Sequence, residues 1–577
     1  MKKGSIVRGR VERLEYPNRG IVLTDDAEVL EVKDVIPGQI VEAVVTRGRK
    51  GASKGRVRAI VKRAPAERLE SICPLTGRCG GCSYQTLPYE EQLKLKEGQV
   101  RQLLSRHIMG LEGQQAVPDG SNSGKYSPDQ AAGMTGQDAA ENICANTCAA
   151  DEPDAMTGRP DFADNSAAEH GQAARDAFVW EGIIPSPKSS GFRNKMEFTF
   201  GDEYPGGPMT LGMHVKNSFY DIVTVDCCSI IDEDYRSIVR NTLDFFVSRN
   251  IPHYNKKTRI GILRYLIVRK AVYTGEIMVV LITSNAEAGG QDDLYRDFAE
   301  ALLKLPLEGR IASVWHGISD SVADTAYCEN LELICGKPSI TEKVLGLSFE
   351  ITPYSFFQTN TFGAEVLYSK VREYVLAAQK MEADRRPGRV ASEGGDGDAC
   401  SMRIFDLYSG TGTIAQVLSS AAKEIIGVEI VGEAVEAARK NAERNGLDNC
   451  SFICGDVFKT LDSLPQGPDI VILDPPREGV HPKAMERIAE EFAPPYIVYV
   501  SCKATSFMEN LAIMTSHGYR PVKGCCVDMF PATAHVEVVS LLQKMSNTRE
   551  RTITLDVEME DYHRIKNITG VTADVTE

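Results

Sequence analysis

Ile404-Phe405-Asp406-Leu407-Tyr408-Ser409-Gly410-Thr411-Gly412-Thr413 is the stretch whose reading decides the fold of this chain. An apolar, strand-like run carrying an acidic residue opens into a Gly-x-Gly turn, and Ile414 to Ala422, rich in Ala, Leu, Ser and Val, reads as the helix behind it. Glycines lack a Cβ and tolerate positive φ, so the backbone there can approach a ligand closely. A second strand, Glu424-Ile-Ile-Gly-Val-Glu429, ends in a carboxylate about twenty positions on, where a doubly wound sheet hydrogen-bonds a ribose diol. The turn lacks the third glycine of the dinucleotide fingerprint.

Downstream the pattern keeps alternating. Strands are expected near 404–408, 424–429, 450–454, 469–474, 496–501, 519–528 and 536–543, with helices at 413–422, 433–445, 482–492 and 504–516. The last two strands have no helix between them and should pair antiparallel. Residues 401–545 therefore read as one Rossmann-like, seven-stranded α/β domain, followed by a polar tail at 546–577.

Upstream, five short alternating runs separated by turns over residues 1–64 predict an OB-like β-barrel. Arg47, Arg49, Lys50, Lys54, Arg56 and Arg58 gather on one of its hairpins, either as an edge for phosphates or as a solvated basic surface. Residues 65–107 hold Cys73-x5-Cys79-x2-Cys82 and an amphipathic helix from Pro88 to about Arg106. Three thiolates that close together suit a metal centre, zinc or a cubane cluster, and need a fourth ligand. Residues 108–177 are too polar to bury a core and read as a disordered insertion. A central α/β domain is expected over 178–350, a linking helix over 351–381 and a polar linker over 382–400.

At 577 residues the chain is too long for one core, so several domains are expected. No apolar run reaches membrane-spanning length, and Met1-Lys-Lys leads into no signal peptide, which predicts a cytoplasmic protein without membrane attachment. In that compartment fifteen cysteines point to metal, cluster or nucleophile roles for some of them rather than to disulfides. Cys144, Cys148 and Cys400 lie in polar low-complexity sequence and read as incidental. A net charge of −15 argues against nucleic acid only until its distribution is seen. Residues 112–176 hold twelve acidic residues against three basic, whereas residues 1–70 hold sixteen basic against ten acidic. The N-terminal module is basic, so RNA is not excluded.

Loops at the carboxyl ends of successive strands line one crevice in such a sheet. Here they carry Tyr408, Gly410 and Gly412, then Glu429, Asp456, Asp474-Pro-Pro-Arg477 and Ser501-Cys502, and His535-Val-Glu537 opens the last strand. Asp-Pro-Pro also suits amino-group methyl transfer, but there an aromatic residue usually follows, and here Arg477 does. A thiol and a carboxylate together suit a uracil ring, whose carbon 5 becomes nucleophilic only after a thiolate has added to carbon 6. A base must then take the carbon 5 proton so that the thiol can leave.

The glycine turn with Asp406 ahead of it resembles S-adenosylmethionine (SAM) methyltransferases more than nicotinamide enzymes. Gln358-Thr-Asn360, Asp406-Leu-Tyr-Ser-Gly, Gly427-Val-Glu429, Asp474-Pro-Pro-Arg, Val500-Ser-Cys502 and His535-Val-Glu537, in that order, resemble the RNA 5-methyluridine (uracil-5-)-methyltransferases of tRNA and 23S rRNA. The barrel is similar to their TRAM domain, and the cysteine run to the cluster site of the ribosomal branch.

The resemblance implies methylation of carbon 5 of a uridine in structured RNA, rRNA ahead of tRNA; no obligate protein partner is evident from the sequence. It implies Cys502 as nucleophile, Glu537 as proton acceptor, and Gln358, Tyr408, Glu429 and Asp474 as SAM-binding residues. Cys73, Cys79, Cys82 and Cys228 would hold a four-iron four-sulfur cluster, with Cys227 the alternative fourth ligand. Where the family continues Ser-Cys with Asn-Pro, this chain has Lys503-Ala504. Two rivals are an amino-group methyltransferase, which would not need Cys502, and a non-catalytic RNA-binding or cluster-sensing protein, indifferent to both Cys502 and Glu537.

Overall fold

The computed structural model describes residues 1–48, 53–68, 70–111, 178–285, 292–385, 402–465 and 467–545. Residues 112–177, 386–401 and 546–577, read from the sequence as insertion, linker and tail, lie outside the described residues, as do Arg49 and Lys50 of the basic hairpin. The described residues from 1 to 107 and from 178 onward form one compact unit. None of the described helices is long and apolar enough to cross a membrane.

Strands β1 (Ile6–Glu15), β2 (Arg19–Thr24), β3 (Val29–Lys33), β4 (Ile40–Arg47) and β5 (Ser53–Lys62) close into a barrel of order β1-β2-β3-β5-β4. Alternation does this: Val22, Leu30, Val32, Val41, Ala43 and Val45 point inward and are buried, with polar residues between them turned outward. Tyr84 and Leu87, which follow the cysteine run, join that barrel core, and so does Ala534 from the far end of the chain.

Helix α1 (Tyr89–Leu111) runs past the expected end near Arg106. It carries Lys96, whose Nζ lies 2.6 Å from Asp528 Oδ1, with both side chains fully buried, and donates to Phe530 O at 2.9 Å. Burial alone would pull the ammonium down, and Asp528 opposes that. Removing one partner of such a pair leaves an uncompensated buried charge. Lys96→Met is expected to cost about 3–5 kcal/mol in urea denaturation, and adding Asp528→Asn should recover most of it.

β6 (Val179–Ile184) is followed by β7 (Lys195–Asp202), β8 (Met209–His214), β9 (Ile222–Thr224), α2 (Glu233–Ser248), β10 (Leu263–Lys270), β11 (Glu276–Thr283) and α3 (Asp292–Leu303). β12 (Arg310–Ile318) and β13 (Leu331–Gly336), not read from the sequence, complete a sheet of order β13-β12-β11-β10-β7-β8-β9. Its central strands are buried on both faces. Leu266 and Val268 of β10 face the core shared with α2 and α3, while Tyr265 and Ile267 face the core shared with the C-terminal sheet. The hairpin β14 (Ile340–Val344) and β15 (Leu347–Ile351) leads to α4 (Thr361–Arg385), which takes up the first residues assigned to the polar linker. Leu367, Val371, Tyr374, Val375 and Ala378 form its buried stripe.

The C-terminal sheet comprises β16 (Arg403–Leu407), β17 (Glu424–Glu429), β18 (Cys450–Cys454), β19 (Ile470–Leu473), β20 (Tyr496–Ser501), β21 (Tyr519–Val527) and β22 (Glu537–Lys544). Its order is β18-β17-β16-β19-β20-β22-β21-β6, so it has eight strands rather than the seven expected. The eighth is β6, which pairs parallel to β21 across a sequence separation that no local pattern reveals. β22 inserts antiparallel between β20 and β21, and all other neighbours are parallel. The helices are α5 (Thr413–Val417), shorter than expected and continued by a 3-10 turn, then α6 (Gly432–Arg444), α7 (Val457–Thr460), α8 (Pro482–Arg487) and α9 (Ala504–Ser516).

Candidate active site

Because β22 runs against its neighbours, its first residue lies at the edge where the parallel strands end. Ser501 pairs with Val538, so the next position on each strand sets Cys502 opposite Glu537. They stand thirty-five positions apart in sequence, and the sheet register brings them together.

The glycine turn follows β16 at the same edge. Tyr408, Gly410 and Gly412 have φ of 70°, 54° and 71°. Gly412 requires glycine twice over, since a Cβ there would also meet the Phe452 ring at 2.5 Å. Glu429 accepts the Gly410 N–H at 3.0 Å on one oxygen and the Val431 N–H at 2.9 Å on the other. Asp406 is fully buried and accepts the Ala415 N–H at 3.1 Å through Oδ2. Its Oδ1 and the Ser409 hydroxyl are buried with no protein partner among the described residues. Buried polar atoms are rarely left so.

A cavity of about 1360 Å³ opens beside this turn. Gln358, Tyr408, Glu429, Asp474, Cys502 and Glu537 all line it, and so do Cys73, Cys79, Cys82 and Cys228. The residues that the resemblance assigns to SAM binding and catalysis, and its preferred four cluster ligands, therefore line one space, while the alternative ligand Cys227 does not. Asp456 does not share it: its carboxylate accepts the Lys459 N–H and caps α7. Asn360 has a structural task at α4, accepting the Gly363 N–H at 3.0 Å and donating to Met529 O at 3.0 Å.

Burial dominates the electrostatics. It pushes the Asp406 and Asp474 carboxyls up to about 7. Glu537, 3% exposed, rises to about 8 through burial and the neighbouring Asp474, against the pull of Arg477. Cys502 rises to about 11 through burial, then Glu537 and Asp474, again opposed by Arg477. Arg477 is thus the cation that tempers both groups. The sequence marked it only as the residue following two prolines.

These raised carboxyls make stability depend on pH. The folded state holds protons that the unfolded chain has released, so stability present at acid pH is lost as pH rises from about 4 to about 8. The melting temperature of the ligand-free protein should fall across that window, and Asp474→Asn should flatten the fall. Calorimetry at constant ionic strength measures it.

The loop before Glu537 is held from outside its own sheet. Ala532, at φ 65°, accepts the Ser83 and Tyr84 N–H groups at 3.0 and 2.9 Å, and its own N–H donates to Gln92 at 2.7 Å. With Lys96 on Asp528 and Phe530, the segment after the cysteine run grips the loop along its length. The sequence offered no signal for these contacts.

The cysteines form one electrostatic group. Burial pushes Cys82 up to about 11 and Cys228 up to about 12; Cys73 and Cys79 add to both, and Cys82 adds to Cys228. Cys227, half-buried, is raised by burial and feels Cys73. Among the described residues, no three His, Cys, Asp or Glu side chains are set to hold a single metal ion. The expected iron–sulfur cluster gains no support from that geometry.

Residues 399–527 match the family model of a methyltransferase domain. The chain is 37% identical over 546 residues to a Clostridium tetani protein named an uncharacterized RNA methyltransferase, covering 94% of this chain and 99% of that one. A protein of the same description from Caldanaerobacter subterraneus is also 37% identical, over 544 residues and 100% of its length. Among solved structures, Pyrococcus abyssi tRNA (uracil-54, C5)-methyltransferase, in complex with S-adenosyl-L-homocysteine, superposes with a TM-score of 0.60. The match covers 93% of this chain and all of that one at 23% identity, a likeness of fold. With relatives of one description matching along nearly its whole length, and a methyltransferase domain matched over residues 399–527, the chain belongs to the RNA methyltransferases.

Proposed function

We propose that the protein methylates carbon 5 of a uridine in structured RNA, with SAM as methyl donor and Cys502 as covalent catalyst. The observation that carries this is the register of β20 and β22, which opposes a thiol and a buried carboxylate in the cavity beside the glycine turn. The unpartnered Asp406 Oδ1 and Ser409 hydroxyl, with Tyr408, Glu429, Gln358 and Asp474, suit a ligand with amine, hydroxyl and aromatic parts. SAM, when bound, would supply an electrophilic methyl group.

The remaining work falls to this chain. The Cys502 thiol, partly open to solvent, first gives up its proton to water; the thiolate then forms a bond to uracil carbon 6, and the ring electrons make carbon 5 the nucleophile that takes the methyl group. Glu537 then removes the carbon 5 proton, and the freed electron pair restores the ring double bond and expels the thiolate. A carboxyl raised to about 8 is a stronger base than an exposed one, which suits that proton transfer. The target base must leave its stack to reach the cavity. Exposed Arg47, Lys54, Arg56 and Arg58 on the barrel would grip phosphates.

The cysteine run favours 23S rRNA as substrate, through its resemblance to the ribosomal branch. For a four-iron four-sulfur cluster held by Cys73, Cys79, Cys82 and Cys228, which line the same cavity, the support is that same resemblance. A cubane takes one thiolate per iron, so four cysteines are the number it needs. Iron and acid-labile sulfide in anaerobically purified protein, both lost in Cys79→Ala, would support it, and their absence would end it. The function itself is tested by incubating unmodified 23S rRNA and tRNA with labelled SAM and resolving the nucleosides. Label in 5-methyluridine from 23S rRNA is expected. Label in tRNA alone would move the substrate, and label in an amino-methylated nucleoside would overturn the mechanism.

A further inference from the structure

The nucleophile sits between β20 and α9, and α9 begins two residues after it. A helix start leaves N–H groups without partners inside the helix, and a capping side chain usually meets one. Lys503 stands at the cap position and offers none. The Ala504 N–H instead donates at 3.1 Å to the hydroxyl of Tyr16, which lies in the turn between β1 and β2 of the barrel, 488 positions away. Ala504 is fully buried and Tyr16 5% exposed, so water cannot replace this acceptor. On the other side of Cys502, the Ser501 hydroxyl donates to Lys503 O at 3.0 Å and accepts the Lys503 N–H at 3.3 Å. The nucleophile loop is therefore braced once by its own strand and once by the barrel.

The barrel is itself fastened to the segment that holds Glu537. Tyr84, Leu87 and Ala534 fill its core, and Asn18, two residues after Tyr16, donates to the Ser83 hydroxyl at 3.2 Å. The Tyr16 phenol feels both Glu537 and Cys502, so it lies near the pair rather than at a distant edge.

We propose that Tyr16 is a positioning residue for the proposed methyl transfer: by capping Ala504, it lets the docked barrel fix where Cys502 stands relative to Glu537. A small misplacement of a reacting group is enough to matter, with about 1 Å costing about 100-fold in rate. The proposal rests on the uracil reading of the site.

The experiment measures the rate of covalent complex formation with 5-fluorouridine-substituted 23S rRNA in the presence of SAM, on denaturing gels, using the full chain. Tyr16→Phe keeps the ring and loses the acceptor. It is expected to slow complex formation about 10- to 100-fold, with RNA affinity within about twofold of wild type. Ala504→Pro removes the donor instead. The extended backbone of Lys503 (φ −141°, ψ 99°) suits a residue before proline, and the first helical position tolerates one. Ala504→Pro is expected to be slow as well, and adding Tyr16→Phe to it should change the rate less than about twofold, because one hydrogen bond is being removed twice. A wild-type rate for Tyr16→Phe overturns the proposal. So does an equal slowing by Tyr16→Phe in both backgrounds, which would place its action elsewhere than Ala504. No complex with wild-type protein would instead sink the uracil reading itself, and the role of Tyr16 with it.

Discussion

Cys502→Ala should abolish methyl transfer, lowering the rate by at least about 10⁴-fold, because no neighbouring group can replace a nucleophile that joins the substrate covalently. Cys502 is free, half-buried and at a strand end, so alanine removes little packing, and RNA binding and melting temperature should change little. Cys502→Ser should fall nearly as far, since a hydroxyl releases its proton far less readily than a thiol. Single-turnover assays with labelled SAM read the loss directly. The amino-group reading predicts the opposite, full activity in Cys502→Ser, because Asp474-Pro-Pro would do that chemistry without a thiol.

Glu537→Gln should separate the two halves of the reaction. The glutamine has the same shape but cannot accept the carbon 5 proton, so the thiol adds, carbon 5 is methylated, and the ring stays attached to Cys502. The expected signs are turnover reduced about 10²- to 10⁴-fold and a methylated protein–RNA complex that survives denaturation with ordinary, unfluorinated RNA. The folded state should not suffer. Burial raises Glu537 to about 8, so at pH 8 the folded state must either take up a proton or bury a charge there, and an uncharged glutamine avoids both. A melting temperature equal to or above that of wild type at pH 8 would accompany the trapped complex. An inactive variant with no complex would mean that Glu537 acts before the methyl group arrives.

The glycine turn and the alternation after it were legible in the sequence because each strand of a doubly wound sheet is a local apolar run bounded by turns. The five barrel strands were legible for the same reason, through their alternation. What stayed hidden is what distant segments supply to one another. β6 completes the C-terminal sheet from the far side of the central domain, and its six residues carry no mark of that partner. β12 and β13 went unread because twelve residues, Ser319 to Asn330, separate them, so no tight hairpin turn marks them as a pair. In the candidate site, motif order and chemistry picked out the cavity-lining residues, whereas Asp456 and Asn360 proved to be helix caps, a use that polar residues at strand ends share with ligand binding. Lys503-Ala504 was legible as a departure from Asn-Pro. That the alanine N–H would be met by Tyr16 was not, since the partner lies in another domain. The grip of Ser83, Gln92 and Lys96 on the loop before Glu537 is hidden in the same way.

The central claim is a covalent bond between Cys502 and a uracil, and mass spectrometry of the protein after reaction with SAM and 5-fluorouridine-substituted 23S rRNA tests it most directly. Fluorine at carbon 5 cannot leave as a proton does, so the cycle stops with RNA attached. The account predicts a nucleotide adduct, carrying one added methyl group, on the peptide that contains Cys502, and the attached fragment identifies the target. Methylated product from unsubstituted RNA, with no adduct on that peptide from the substituted RNA, would contradict it.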